Sequence, residues 1–470
     1  MIRKALYYSF TSKYITLIIQ ILSTLILARI LTPEHIGLFS VAAIFTGIAQ
    51  MFRDFGISEY IIKEKTITKA MLSAAFTSSV IIAWPIAFLL MAVSPLIGGY
   101  YSEVDIPGLI LILTCNLFFS PFGSIPMAVM RKTMNFKPIS YANIANTIVN
   151  AGASIVLAYM GFGAYSLAWA SLAGTITTVT IITLYKPSDI RFGLTFSGIK
   201  KVLLFGKDVG GSNIFAYTSQ NILELLIAKN FDMATLGLYS RGKSTITLFQ
   251  TAILDAVQPL ISPYYAQDSS NKTYLTNAYL KSTRILVYLS LPFCLTVGMF
   301  SESILLVLYG PQWLGASVYL KYLAAGFFIY TLTMYYEQLL TTRNMSALYA
   351  KFTFSICGIQ IAIAMSSFWL GLELVLMGMV SMYLLRLLWV MLSLRKLISL
   401  TINDYVNSLK LPLLAGALFM FSILPIFFFK NNLGHILSIT LIFIPAAIWC
   451  IFILVCDGEI RSLFKLKNAA

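Results

Sequence analysis

Runs of about twenty apolar residues, separated by short polar stretches, recur from one end of the chain to the other. They lie at roughly 9–31, 36–57, 70–97, 107–128, 138–160 and 162–185. A second set follows at roughly 204–228, 235–261, 281–301, 315–341, 346–370, 372–394, 409–429 and 434–456. Each run is long enough to cross a hydrocarbon core of about 30 Å as a helix. The pattern predicts an all-α integral membrane protein of about fourteen transmembrane helices. A barrel is excluded, because its strands would alternate in polarity. Grouping the runs predicts an N-terminal six-helix lobe over 1–185 and a cytoplasmic amphipathic linker over 186–207. A C-terminal six-helix lobe over 208–400 would follow, then two additional helices and a basic cytoplasmic tail over 401–470.

Composition strengthens this reading. Of the 470 residues, 59% are hydrophobic and 11% charged, a balance that water-soluble domains of this size do not normally show. Arg3 and Lys4 precede the first run as in a signal peptide. That run is too long and lacks a small-residue cleavage site, so it is expected to stay as an anchor. The cysteines Cys115, Cys294, Cys357, Cys450 and Cys456 have no paired spacing and read as packing residues.

Charge sets the expected orientation. With a cytoplasmic N-terminus, 25 of the 33 basic residues fall on the cytoplasmic side, in the flanks and loops that hold Lys13, Lys63, Arg131, Lys207, Lys272, Arg343 and Lys410 among others. The opposite side holds only Arg29, Lys229, Lys321 and Lys430. The positive-inside rule therefore predicts a multi-pass membrane protein with both termini cytoplasmic. The net charge of +15 follows from topology. It is scattered over short segments and forms no single patch, as nucleic-acid binding would need.

One stretch competes for attention. "GLYSRGKS" (237–244) matches the phosphate-loop pattern letter for letter. A phosphate loop needs a strand before it and a soluble helix after it, and here the match opens a membrane helix on the side away from cytoplasmic ATP. Its better explanation is an internal repeat at an offset of two hundred residues. Ser12, Gln20, Leu25, Ala28, Gly37, Leu38, Ser40 and Gln50 recur as Ser212, Gln220, Leu225, Ala228, Gly237, Leu238, Ser240 and Gln250. Apolar composition cannot account for matching glutamines inside membrane helices. Six helices per half place the halves in the same orientation, as in parallel-repeat transporters, with a cavity expected between them.

Polar residues within the apolar runs mark the candidate site. The seventh run carries Asn213, Tyr217, Gln220, Asn221 and Glu224 on one helical face, and the first carries Lys13, Thr16, Gln20 and Thr24 on the matching face. The second adds Thr46, Gln50, Arg53 and Asp54, and the eighth adds Arg241, Ser244, Thr245 and Asp255. A charge at mid-membrane costs about 2.5–3.5 kcal/mol on insertion scales, so such stripes face water or protein. Interhelical hydrogen bonding and an Arg53–Asp54 neutralising pair are the structural alternatives. Glu337, Glu373 and Arg386 lack a visible partner in the sequence. His35 and His435 form no motif, no catalytic signature is present, and the longest outer loop, about 302–314, leaves no room for a catalytic domain. An enzyme is therefore not expected.

"LARILTPEHIGLFSVAAIFTGIAQMFRDFGISEYIIK" (27–63) closely resembles the polysaccharide transporter branch of the multidrug/oligosaccharidyl-lipid/polysaccharide flippase superfamily. "MRKTMNF" (130–136), "IRFGLTFSGIKKVLLFG" (190–206), "LGLYSRGKS" (236–244) and "YGPQWLGASVYLKYLA" (309–324) resemble further landmarks in family order. The resemblance covers about residues 5–400. It implies two six-helix lobes and two extra helices that move undecaprenyl-diphosphate-linked oligosaccharides across the bacterial inner membrane to the periplasmic leaflet by alternating access without ATP. It implies no cofactor, and Glu224 or Asp255 are the residues that H⁺ or Na⁺ coupling would use. By position Lys13, Arg53 and Arg241 would receive the diphosphate, with Gln20, Asn213, Gln220 and Asn221 as further substrate contacts and Asp54 as a charge partner. Membrane lipids, a polysaccharide polymerase and a chain-length regulator are the implied partners. An ion-coupled multidrug exporter and a peptidoglycan-precursor flippase of the same superfamily remain open at this stage. A membrane polymerase or glycosyltransferase is disfavoured by the short loops and the repeat.

Overall fold

The structure, a computed structural model, describes the backbone of residues 2–456 except 55, 65, 66, 188, 189, 191 and 197. It describes their side chains except at 2–6, 54, 200, 201, 203–213, 255, 256, 259, 431, 454 and 456. Every regular element among the described residues is helical. The chain begins with α1 (Ile2–Ile30), α2 (Pro33–Asp54), the short α3 (Ile57–Lys63), α4 (Lys69–Tyr101), α5 (Asp105–Lys132), α6 (Phe136–Tyr159) and α7 (Ala164–Leu184). Next come α8 (Ile199–Asn230), α9 (Met233–Phe249) and α10 (Asp255–Ala266), the last two joined through a π-helical turn at Gln250–Leu254. α11 (Lys272–Leu308), α12 (Ala316–Thr331), α13 (Tyr336–Thr342) and α14 (Ser346–Met365) continue the chain. It closes with α15 (Leu372–Ile398), α16 (Ile402–Phe428), α17 (Lys430–Leu433) and α18 (His435–Cys456).

Helix starts carry their usual chemistry. Pro33 opens α2, where its missing N–H costs nothing, and the Thr32 hydroxyl accepts from the His35 N–H. Thr68 and Asn271 cap α4 and α11 in the same way, and Thr401 with Asp404 forms a capping box on α16.

Ten helices are long and apolar enough to cross a membrane among the described residues. The other four expected spans are helical over the expected positions, as α6, α8, α9 with α10, and α12 with α13, but they are more polar or are interrupted. Phe88, Leu89, Leu96, Leu392 and Phe443 stand exposed on the spanning helices. Side chains of that kind are stable facing lipid, while the helix satisfies its own backbone groups.

Contacts divide the chain into two compact units, 1–240 and 241–470. In the first, α6 lies along α7, α1 packs on α6, α5 packs on α4 and α7, and α2 packs on α5 and α8. The segment after α7 is pinned to this unit by Phe192, whose ring meets Phe76 at 5.1 Å and Phe122 at 5.3 Å. The Thr195 N–H also donates to the Thr77 hydroxyl at 2.9 Å. In the second unit α11 packs against α12, α16 and α18. Phe249 stacks on Phe293 at 3.7 Å there, and Trp449 fits edge-on between Tyr288 and Phe419.

The repeat has a physical counterpart inside the first unit. A Cβ on Gly37 would meet the Met233 carbonyl oxygen at 1.9 Å, and one on Gly237 would meet the Pro33 carbonyl oxygen at 1.8 Å. Each contact is the other moved by two hundred residues. Ser40 donates to the Ser240 hydroxyl at 3.3 Å, again a residue and its own repeat. The starts of α2 and α9 thus cross on a local pseudo-two-fold, and glycine is needed there because the backbones touch. The phosphate-loop match lies inside α9, helical throughout, and α8 precedes it. A helix interior has no run of free N–H groups to cradle phosphate.

Candidate functional site

The first unit contains a polar cavity of about 480 Å³. Thr16 and Gln20 of α1 and Arg53 at the end of α2 form one side. The rest comes from Ser120, Gly123, Ser124 and Met127 of α5, Asn143, Asn146 and Thr147 of α6, and Thr175, Thr178 and Val179 of α7. The cavity runs from mid-depth toward the bundle end where α2, α5 and α7 finish and α6 begins. Arg53 is the single ionisable side chain among these lining residues, and none is a carboxylate. Asn146 is held in place by its amide, which donates to the Thr178 hydroxyl at 2.8 Å across the α6–α7 interface, and by close packing on Gly174.

Of the first-helix candidates, Gln20 and Thr16 therefore reach this cavity, with Arg53 from the second. Lys13 is half-buried, is not among the lining residues, and lends its carbonyl to the Thr16 hydroxyl at 2.9 Å. Thr46 turns its hydroxyl back onto the carbonyls of Ala42 and Ala43.

The polar face of α8 turns to α2. Tyr217 sets its hydroxyl directly against Gly47, where a Cβ would lie 2.0 Å away. Asn221 donates one amide N–H to the Tyr217 carbonyl at 2.8 Å. Glu224 is buried and accepts from the Ser240 hydroxyl at 3.3 Å, beside the Ser40–Ser240 contact. Gln220 is exposed. The side chains of Asn213, Asp54 and Asp255 lie outside the described residues.

In the second unit Arg241 is 6% exposed. Its guanidinium lies 4.4 Å from the Trp313 ring centre and 4.9 Å from that of Tyr309. Its Nε makes no hydrogen bond, and no carboxylate pairs with it among the described residues. Thr245, one turn on, donates to the Arg241 carbonyl and meets the Tyr309 hydroxyl at 3.2 Å. Two sequence landmarks, 236–244 and 309–324, are thus brought together through one arginine and two rings. A second arginine is arranged differently. Arg386 of α15 donates to Glu337 at 3.1 Å and to Thr333 at 3.0 Å, between the rings of Tyr330 and Phe352. These two charges, without a visible partner in the sequence, are each other's partner.

The sequence reading missed the walls that α5, α6 and α7 give the cavity. A signal was available: Asn143, Asn146, Thr147 and Asn150 repeat at three- and four-residue spacing within an apolar run, the same criterion that marked the seventh helix. They carry no charge, so they drew less weight.

Comparison with known proteins agrees with this architecture. Residues 26–318 match the family model described as "Polysaccharide biosynthesis protein". The chain is 22% identical over 309 residues to the teichuronic acid biosynthesis protein TuaB of Bacillus subtilis (strain 168), covering 65% of this chain and 64% of that one. It is 22% identical over 294 residues to the lipopolysaccharide biosynthesis protein WzxC of Escherichia coli (strain K12), covering 61% of this chain and 59% of that one. The chain therefore spans less than two thirds of the length of these curated relatives. The solved structure of the lipid II flippase MurJ in an inward closed conformation superposes with a TM-score of 0.78 at 12% identity, covering 97% of this chain and 99% of that one. That likeness is one of fold. With a family match over more than half of its length, the chain belongs to the polysaccharide biosynthesis protein family.

Proposed function

We propose that this protein is a flippase that moves undecaprenyl-diphosphate-linked glycan units from the cytoplasmic to the periplasmic leaflet for surface polysaccharide synthesis. The observation that carries the reading is the cavity in the first unit, lined largely by hydroxyl and amide side chains, with an arginine and no carboxylate among its described lining residues. Sugar hydroxyls and a diphosphate cannot cross hydrocarbon unaided, because each unpaired polar group costs several kcal/mol. A polar cavity with a guanidinium removes that barrier for an anionic head group, while the polyprenyl tail stays in lipid. No carboxylate among the described lining residues would receive a cationic drug, which disfavours the exporter.

In this reading Arg53 receives the diphosphate and Arg241 meets it later on the path, in alternating access without ATP. A guanidinium suits the task because it offers two parallel hydrogen bonds to phosphate oxygens. An interior-negative potential favours outward movement of an anion by about 2.3 kcal/mol per charge per 100 mV. Lys13, Gln20, Gln220, Asn221 and Asn213 are proposed as accessory contacts, and Glu224 and Asp255 as the groups a coupled H⁺ or Na⁺ would use. A polysaccharide polymerase and a chain-length regulator are the proposed downstream partners.

The test is export in cells. Deleting the gene is expected to abolish surface polysaccharide and to trap lipid-linked units in the inner leaflet. Arg53→Gln and Arg241→Gln are each expected to reproduce that loss at normal protein abundance, and lysine at either position to restore only part of it. Normal export by both glutamine variants would overturn the assignment of the arginines. Growth arrest on deletion, with lipid II trapped inside, would point instead to a peptidoglycan precursor as the cargo.

A further inference from the structure

The turn that follows α11 brings two rings to one guanidinium. The N–H groups of Tyr309 and Gly310 both donate to the Leu305 carbonyl, at 2.8 and 3.0 Å, which ends the helix. Gly310 then adopts a φ of 108°, a backbone that a side chain would strain. Pro311 opens a single 3₁₀ turn, closed by the Trp313 N–H on the Gly310 carbonyl at 3.2 Å. Tyr309 and Trp313 are both buried, with their ring centres 4.9 and 4.4 Å from the Arg241 guanidinium. The Tyr309 ring is braced in turn. Thr245 gives its hydroxyl proton to the Arg241 carbonyl at 3.0 Å, so Tyr309 is the donor in the 3.2 Å contact between the two hydroxyls.

A buried arginine needs something in place of water. A carboxylate supplies it by occupying N–H groups, as Glu337 does on Arg386. A ring face supplies it through its quadrupole and occupies none. Arg241 has the rings, and among the described residues its guanidinium makes no hydrogen bond, so the charge is stabilised while the donors stay uncommitted. Rings on the guanidinium also limit its swing, and a group already held loses less freedom when it meets an anion.

We infer that Trp313 is a positioning residue for Arg241, with the braced Tyr309 ring as its second support: it holds the guanidinium by its charge, keeps the N–H donors available to an anionic head group, and touches no cargo itself. The inference rests on the flippase reading for the identity of that head group.

Binding of inorganic pyrophosphate to the full-length protein in lipid nanodiscs, followed by titration calorimetry, tests this. An Arg53→Gln background leaves Arg241 to carry the binding, and adding Arg241→Gln is expected to abolish it. Truncating a buried tryptophan can unfold the protein, so the decisive variants keep its shape. Tryptophan fluorinated on one to four ring carbons, introduced at position 313 alone, presents a progressively less negative face. Affinity is expected to fall stepwise along that series, by roughly tenfold at its end, while the protein stays folded. Trp313→Phe should retain part of the affinity. A flat series would make the ring a packing group and overturn the inference. A rising one would mean that the ring competes with the anion, which overturns it as well. No pyrophosphate binding in the Arg53→Gln background removes the anion site, and the positioning role with it. Export in cells is the separate readout. Surface polysaccharide that survives deletion of the gene, alongside affinity that tracks the fluorines, overturns the flippase reading and leaves the positioning role standing. A flat series with export lost in Arg241→Gln does the reverse.

Discussion

At the scale of single residues, Arg241 and Arg386, two buried arginines of the second unit, show how the same side chain is stabilised in two ways. Arg241 rests on rings, where cation–π attraction is worth about 0.5–2 kcal/mol and leaves the charge uncompensated. Arg386 has Glu337 and Thr333 as hydrogen-bond partners, so its charge is neutralised on the spot. This contrast fits Arg241 as a group awaiting an anion and Arg386 as part of the scaffold. Glu337→Gln should therefore lower the melting temperature of the purified protein, by the equivalent of about 1–3 kcal/mol, because it leaves a buried guanidinium without a countercharge. The double variant Glu337→Gln/Arg386→Met should recover much of that loss. A double variant no more stable than the single one would show that the pair is not coupled in this way.

At the scale of elements, the crossing of α2 and α9 makes the tightest glycine contacts among the described residues. Gly37 and Gly237 each touch the backbone of the opposite helix's first turn, and a methyl group at either would sit under 2 Å from a carbonyl oxygen. A pair of cysteines at positions 40 and 240, in a background free of native cysteine, should cross-link readily, since the serine hydroxyls lie 3.3 Å apart. Adding Gly37→Ala should suppress that cross-link by forcing the helix starts apart. Efficient cross-linking in the alanine variant would mean the crossing tolerates a side chain. The interruptions nearby have local causes as well. The π turn at Gln250–Leu254 shifts the register of α10 relative to α9, a device often found where helices must be re-aimed.

At the scale of the molecule, the orientation proposed from the basic residues is testable at exposed turns. Val104, between α4 and α5, is 93% exposed, and Ser270 lies in the turn before α11. In the cysteine-free background, Val104→Cys in intact cells should react with a membrane-impermeant thiol reagent, and Ser270→Cys should react only after permeabilisation. The reverse pattern would invert the proposed topology. Lone turns are preferable to the termini for this purpose, since they are fixed at both ends by helices.

The sequence alone determined the helical class, the helical order and the repeat, because bilayer thickness imposes a run length on every span and the repeat shows as matching residues at one fixed offset. It also determined that Arg53, Arg241 and the polar stripes needed explaining, since intramembrane charge is costly wherever it sits. Only the tertiary structure decided what met what. Arg386 and Glu337 are 49 positions apart, and Arg241 is 72 from Trp313, so no local periodicity could pair them. Ser40 meeting Ser240 required both copies of the repeat to return to one axis.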